Sequence, residues 1–492
     1  MLKNICNTLL LFTLLIPFTS NAQLASDALR YSRQDLGGTA RTLGIGGAIG
    51  ALGADFSTLS SNPAGIATFR RTDFTFSTEL YSARATSQLE GTEFAIEEFE
   101  SKININNAGI VIASHRPNRQ GWKTINFGIG FNRMANFNEV FFYQGNTPGS
   151  ITGRFVELAD GSTPDQLDDF EAGPAYDAGA IFNAQGFDNT FYFKDIMDDE
   201  VIDKSQLVRQ SGGVNEFVMS FGGNYEEKLM VGATLGIPFV NFSEDKIYTE
   251  QDEDNLNQVF TELNFRENLR TTGTGINLKL GAIYRPFQAL RIGAAVHSPT
   301  RYNLDDEYNT SIDYAFEFSG SQSFEADSPS GFYEYRIRTP WRFQGSTAFL
   351  FGKSGFVSAE VEYVDFSTAS FDFNNATDTE DATYERELNQ EIQQNYQGAI
   401  TARLGAEARY KVFRFRAGYN LGTSPFIDDT NLTSAITLGA GIRQENFYLD
   451  IGYRRAAFGE TYIPYTTTAV PQPEVTNDFV FQRFLATFGF KF

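Results

Sequence analysis

The stretch TGINLKLGAIYR, residues 274–285, decides the fold. As an extended chain it sets Ile276, Leu278, Leu280, Ala282 and Tyr284 in one row and Asn277, Lys279, Gly281 and Arg285 in the other, because successive strand side chains point to opposite faces. All the charge lies on one side. The same separation holds in ITARLGAEARY (400–410), where Ala402, Leu404, Ala406, Ala408 and Tyr410 oppose Thr401, Arg403, Gly405, Glu407 and Arg409. It returns in FRFRAGYN (413–420) and in FYLDIGYR (447–454), where Asp450 and Arg454 oppose Phe447, Leu449, Ile451 and Tyr453. A charge on the lipid face of a membrane strand costs ~2–4 kcal/mol at mid-membrane, whereas the lumen side tolerates it. Only helices and closed barrels satisfy their backbone in lipid, and no later apolar run reaches the ~20 residues of a membrane helix. The pattern therefore predicts an all-β, antiparallel transmembrane β-barrel.

Short turns join such strands in pairs: 214–225 with 228–240, 273–285 with 289–299, 340–351 with 355–367, 397–410 with 412–421, and 434–443 with 446–455. The longer turn HRPNRQGW joins 106–115 with 122–133, and single strands at 73–83 and 481–492 open and close the set. The expected count is thus about 14 strands. An even number places both barrel ends on the short-turn, periplasmic side. Tyr225, Tyr284 and Tyr410 precede short turns while Tyr363, Tyr419 and Tyr453 end strands running outward, as two interfacial girdles require. The remaining connections become extracellular loops, the longest at about 134–213. They carry the acidic clusters DDFE (168–171), MDDE (197–200) and EQDED (250–254). Solvated loop surface is the plain reading of these clusters; bridging of cations to outer-membrane lipopolysaccharide is the other.

Composition agrees. There are 48 Phe and 22 Tyr against 2 Trp, and the formal net charge of −22 excludes nucleic acid as a partner. Residues 1–22 read as a signal peptide: Lys3, the apolar LLLFTLLIPF, and SNAQ offering cleavage after Ala22. Export to the outer membrane of a Gram-negative bacterium follows. The single cysteine, Cys6, falls inside that segment, so the remainder has no disulfide, cysteine zinc site or thiol nucleophile.

LGIGGAIGALGADFSTLSSNPAG, residues 43–65, is small, apolar and glycine-rich. A dinucleotide loop needs G-x-G-x-x-G after a strand, but Gly44 and Gly46 are followed by Ile49 in the third position. A membrane helix would be broken by Asp55. A fourteen-stranded barrel has an interior too wide for its wall side chains to fill, and a compact Gly/Ala segment packs there, with Asn62 as helix N-cap and Pro63 at the first position. A simple turn into the first strand is the alternative. The expected organisation is signal peptide 1–22, lumenal hatch 23–70 and barrel 71–492.

The run 36–69, LGGTARTLGIGGAIGALGADFSTLSSNPAGIATF, resembles the N-terminal hatch of the FadL/OmpP1/TodX family of outer-membrane transporters, and RTPWRFQGSTAFLFGKSGFVSAEVEYVDFS (338–367) looks like its Bacteroidetes-type members. The resemblance implies a monomeric, hatch-plugged barrel. It also implies transport of long-chain fatty acids or other hydrophobic small molecules, captured by loops and released through a lateral gate, with no cofactor. It assigns the hatch motif to Asn62, Pro63, Ala64 and Gly65. It places the gate at Gly128 and Gly130 of INFGIGFNRMANF; room for the hatch explains those glycines equally well. The last residues, with Phe484, Ala486, Phe488, Phe490 and Phe492 in one row, resemble the signal read by the barrel assembly machinery. Related barrels also suggest another class, a binding scaffold or receptor like a type IX secretion shuttle or a haemin receptor.

The inward rows hold Arg342, Glu360, Glu362, Arg403, Glu407 and Arg416. Either these charges pair with one another and with the hatch, leaving an apolar pocket above, or the barrel carries no lipid; pairing is the expected outcome. His115 and His297 lack metal-ligand spacing. Glu360 and Glu362 share a strand face but read as lumen charge rather than a catalytic pair, so the chain is expected not to be an enzyme.

Overall fold

The computed structural model describes residues 25–492 apart from 36, 117, 184–188, 253–256, 258, 318–319, 374–378 and 471–472. The expected signal peptide therefore lies outside the described residues. In chain order the strands are β1 (Asp73–Leu89), β2 (Ile96–His115), β3 (Trp122–Asn136), β4 (Glu139–Pro148), β5 (Val201–Tyr225), β6 (Leu229–Gln251), β7 (Phe260–Phe287), β8 (Leu290–His297), β9 (Arg301–Glu317) and β10 (Ser321–Asp327). There follow β11 (Gly331–Arg338), β12 (Arg342–Leu350), β13 (Gly355–Asp365), β14 (Ser370–Asp372), β15 (Gly398–Tyr410), β16 (Phe413–Thr423), β17 (Leu432–Arg443), β18 (Phe447–Tyr462) and β19 (Val475–Lys491). Several are halves of one stave: β3 with β4, β8 with β9, β11 with β12, and β13 with β14 adjoin the same neighbours in turn. The result is a closed antiparallel barrel of 14 staves, with β10 a short added strand on β9. The ring shuts where β1 pairs with β19, from Asp73↔Lys491 to Leu89↔Val475.

The alternation read in the sequence is the inside and outside of this wall. In β7, Ile276, Leu278, Leu280 and Tyr284 are exposed, whereas Lys279 is 1% exposed. Phe415 is turned outward beside buried Arg416, and Phe484, Phe488 and Phe490 form the outward row of β19, with exposed Phe492 just past its end. An exposed apolar surface that encircles the molecule has a stable home only in lipid. None of the described helices is long and apolar enough to cross a membrane.

Crossing takes ~9–11 residues per strand, yet β5, β6 and β7 have 25, 23 and 28. These strands continue well past the bilayer on the long-loop side. About a third of the span 134–213 is accordingly strand, chiefly β4 and the first half of β5, rather than loop. Its strand character escapes dyad reading because neither face meets lipid there. The rest of that span, with α3 (Thr152–Ala159) and α4 (Ala172–Asp177), packs Phe155, Ala172 and Ala175 onto Ile202, Tyr248, Phe265 and Tyr314 as a cap over the extended strands.

Candidate functional site: the filled lumen and a break in the wall

Residues 25–69 run inside the barrel as α1 (Ala25–Ser32), α2 (Ala40–Gly44) and two 3₁₀ turns, Phe56–Leu59 and Pro63–Thr68. Each of the last three is capped by its own sequence: Thr39 accepts from the Thr42 amide, Asp55 from that of Ser57, and Asn62 from that of Ala64 (3.1 Å). Asn62 also donates to the carbonyls of Gly50 (2.7 Å) and of Ala282 on the wall (3.3 Å). It packs against Gly281, where a Cβ would collide with it. Pro63, Ala64 and Gly65 follow in the buried turn, and a Cβ on Gly65 would meet Thr58 at 2.6 Å.

The expected inward charges are brought together and paired. Glu362 accepts from Arg342 (2.7 Å), Arg403 (3.0 Å) and Gln344 (2.8 Å). Glu360 accepts from Arg403 (2.7 Å) and from the Gly50 amide (2.9 Å). Arg416 bridges Glu407 and Asp450, each at 2.7 Å. Every carboxylate oxygen of Glu360 and Glu362 is thus engaged, leaving no free base or nucleophile in that pair. Further buried pairs absent from the sequence reading include Arg483 with Glu79, and Lys279 with Glu216. The signal for both was present, since each lies on the inward row of its strand, but cross-strand register is not legible before the fold is known. Buried pairs are stable only as complete sets, because removing one partner strands the other charge at ~3–5 kcal/mol. His297 bonds the Ser61 carbonyl at 2.6 Å and is separate from half-buried His115. Among the described residues no cluster of His, Asp or Glu is placed to hold a metal.

Gly128 and Gly130 lie where β3 is paired on both sides, with β2 and with β5. A Cβ on Gly128 would meet Ile66 at 2.8 Å and Leu59 at 2.9 Å; one on Gly130 would meet Phe56 at 2.6 Å. Both glycines therefore seat the N-terminal segment. The wall is interrupted just above them. β2 pairs with β3 only from Asn107↔Asn132 to His115↔Thr124, and its outer half, residues 96–105, pairs with β1 alone. A bulge at Arg133/Ala135 bends β3, and β4 leans inward, packing Phe141 and Tyr143 with Ala85, Leu89 and Phe479. Gly212 on β5 holds the bend: at φ 110° it takes a conformation that L side chains rarely adopt, and its carbonyl accepts from Arg133 at 2.6 Å.

The N-terminal segment crosses this break from inside. The Asp35 amide donates to the Met134 carbonyl (2.8 Å), its carboxylate accepts from the Asn136 amide (3.2 Å), and Asn106 on β2 donates to the Gly38 carbonyl. Beside it lies a small cleft of about 60 Å³, lined in part by Ser57, Asn132, Gln344, Glu360 and Arg403. The space above is apolar but occupied, because α1 packs there against Met134, Phe242, Tyr302 and Tyr335.

A long-strand antiparallel barrel with an internal N-terminal segment is the FadL-like architecture. The toluene transporter TodX of Pseudomonas putida aligns over 94% of this chain and 100% of its own, with a TM-score of 0.53 and 12% identity. A FadL homologue of Pseudomonas aeruginosa aligns over the same shares with a TM-score of 0.54 and 11% identity. A model of the BamG family matches residues 187–461, and the chain belongs to that family. No relative is found among curated proteins.

Proposed function

We propose that the chain is an outer-membrane barrel that takes up hydrophobic compounds, long-chain fatty acids among them, at its extracellular loops and releases them sideways into the membrane. The observation that carries this reading is the break in strand pairing between the outer half of β2 and the bend at 133–138, at the height of the outward apolar Ile103 and Ile105. The fold shared with TodX supports it. On this reading residues 23–70 act as the hatch of the 71–492 barrel, Asn62, Pro63, Ala64 and Gly65 anchor that hatch, and Gly128 and Gly130 form the pivot below the opening. The barrel works as a monomer surrounded by lipid and lipopolysaccharide, its terminal phenylalanine row read by the barrel assembly machinery, and it performs no chemistry. Deleting Phe137 and Asn138 runs β3 straight into β4 with side-chain parity kept. Cells carrying that variant should lose uptake of radiolabelled oleate while the barrel still inserts; uptake at the normal rate rules out the lateral route.

A second reading, a binding scaffold working beside the barrel assembly machinery, is favoured by the BamG match and by a lumen filled with ion pairs and its own chain. Gentle detergent extraction separates the two: bound lipid supports uptake, bound protein without lipid supports the scaffold.

A further inference from the structure

The outward aromatics of β12 fix where the bilayer ends on the long-loop side. Trp341 and Phe343 are exposed at its outer end, their rings stacked with centroids 6.4 Å apart, and Phe349 and Phe351 are exposed at its periplasmic end. From Trp341 to Phe351 the chain takes about ten steps of ~3.3 Å along a strand tilted by ~40°, a height of about 25 Å, which is that of the apolar band of an outer-membrane barrel. Trp341 therefore stands at the outer headgroup boundary.

Immediately beyond it the outward face turns basic. β9 and β11 pair there with Arg301 directly opposite Arg338, and on the next outward rung Asn303 is opposite Arg336. All three arginines are exposed. Arg301 also lies across from Ile276 of β7, the top of the lipid-facing row in that strand and 54% exposed. Arg336 donates to Asn303 (3.1 Å) and has Asp372 at 4.0 Å. Among the described residues the Arg301 and Arg338 side chains have no ionic or hydrogen-bonding partner. Like charges directly opposite on one sheet face repel, their Cβ atoms only ~5 Å apart, and nothing in the chain offsets this pair. One rung further out Asp305 faces Glu334, so the surface changes sign away from the membrane and directs an anion to its membrane end.

We propose that Arg301 and Arg338, with Arg336 behind them, clamp the phosphate of an anionic lipid in the outer leaflet, whose acyl chains lie along Ile276, Trp341 and Phe343. Guanidinium forks present paired donors that match phosphate oxygens, and the low dielectric at the bilayer edge strengthens the contact. The site is on the outside of the wall, so it is independent of what passes through the lumen.

The chain has 2 tryptophans, Trp122 and Trp341, so Trp122→Phe leaves Trp341 as a reporter beside the site. The full chain with this substitution is reconstituted in phosphatidylcholine vesicles, and quenching of Trp341 is followed as brominated phosphatidylglycerol or brominated phosphatidylcholine is added. The anionic lipid should be preferred by about fivefold or more, and Arg301→Gln with Arg338→Gln should bring the ratio to about one. Equal quenching by the two lipids overturns the proposal, as does a preference that survives the double substitution. A preference abolished by inorganic phosphate at constant ionic strength assigns the site to free phosphate and overturns the lipid. Should the double variant fail to insert, Arg338→Gln alone decides: it should weaken the preference, and an unchanged ratio overturns the clamp.

Discussion

Asn62 gathers several small energies at one position. It caps the turn Pro63–Thr68, ties that turn to Gly50, and reaches the wall at Ala282. Replacing a cap of this type by alanine costs ~0.5–2 kcal/mol, and here two carbonyls also lose a donor. Asn62→Ala should therefore lower stability by about 2 kcal/mol and speed hydrogen exchange within 39–69, leaving strand exchange unchanged. Equal exchange in both proteins would mean that the cap carries no load. The Asn-Pro step was legible because capping is local chemistry. The partners of Arg403 were not: its inward direction follows from parity, but its two carboxylates, Glu360 and Glu362, are one strand away and depend on register.

At the scale of elements, the sequence marked the lipid-crossing half of each stave and missed the half above it. β1 was read to 83 and runs to Leu89; β18 was read to 455 and runs to Tyr462. Dyad patterning needs two unlike faces, and outside the bilayer the outward face meets water while the inward face meets the cap. The bend at 133–138 was equally silent, since no proline marks it and Gly212, which permits it, belongs to another strand. The cap has its own pH response. Asp160, which accepts from the Tyr192 amide at 3.0 Å, and Asp195, which accepts from the Tyr314 hydroxyl at 2.8 Å, both have carboxyls raised by burial. A carboxyl raised in the folded state binds its proton more tightly there than when released, so stability is gained as pH falls through the folded value toward the ordinary carboxylate range. Hydrogen exchange across 150–200, corrected for its intrinsic rate, should slow between neutral pH and about pH 4.5. Faster opening on acidification would contradict this assignment.

For the whole molecule, the decisive property is which side of the wall each row faces. Leu404 is 55% exposed near the middle of β15, while its neighbour Arg403 is buried. Leu404→Arg should cost ~2–4 kcal/mol in a bilayer, measured by urea titration of the lipid-embedded barrel; a cost near zero would place that row in water. The closed barrel was legible at this scale because the pattern repeats in many strands, and a filled lumen was expected of residues 23–70; the helix α1 within that run was not, since it is short and its apolar residues resemble any others.

The seam between β1 and β19 joins residues some 400 positions apart, a loop closure costing about 5 kcal/mol in chain entropy. The same seam also carries a bond to the lumen, for Thr487 of β19 accepts from the Ala40 amide of the N-terminal segment. Closing the ring and seating that segment therefore share one strand, and a defect in either loosens the other.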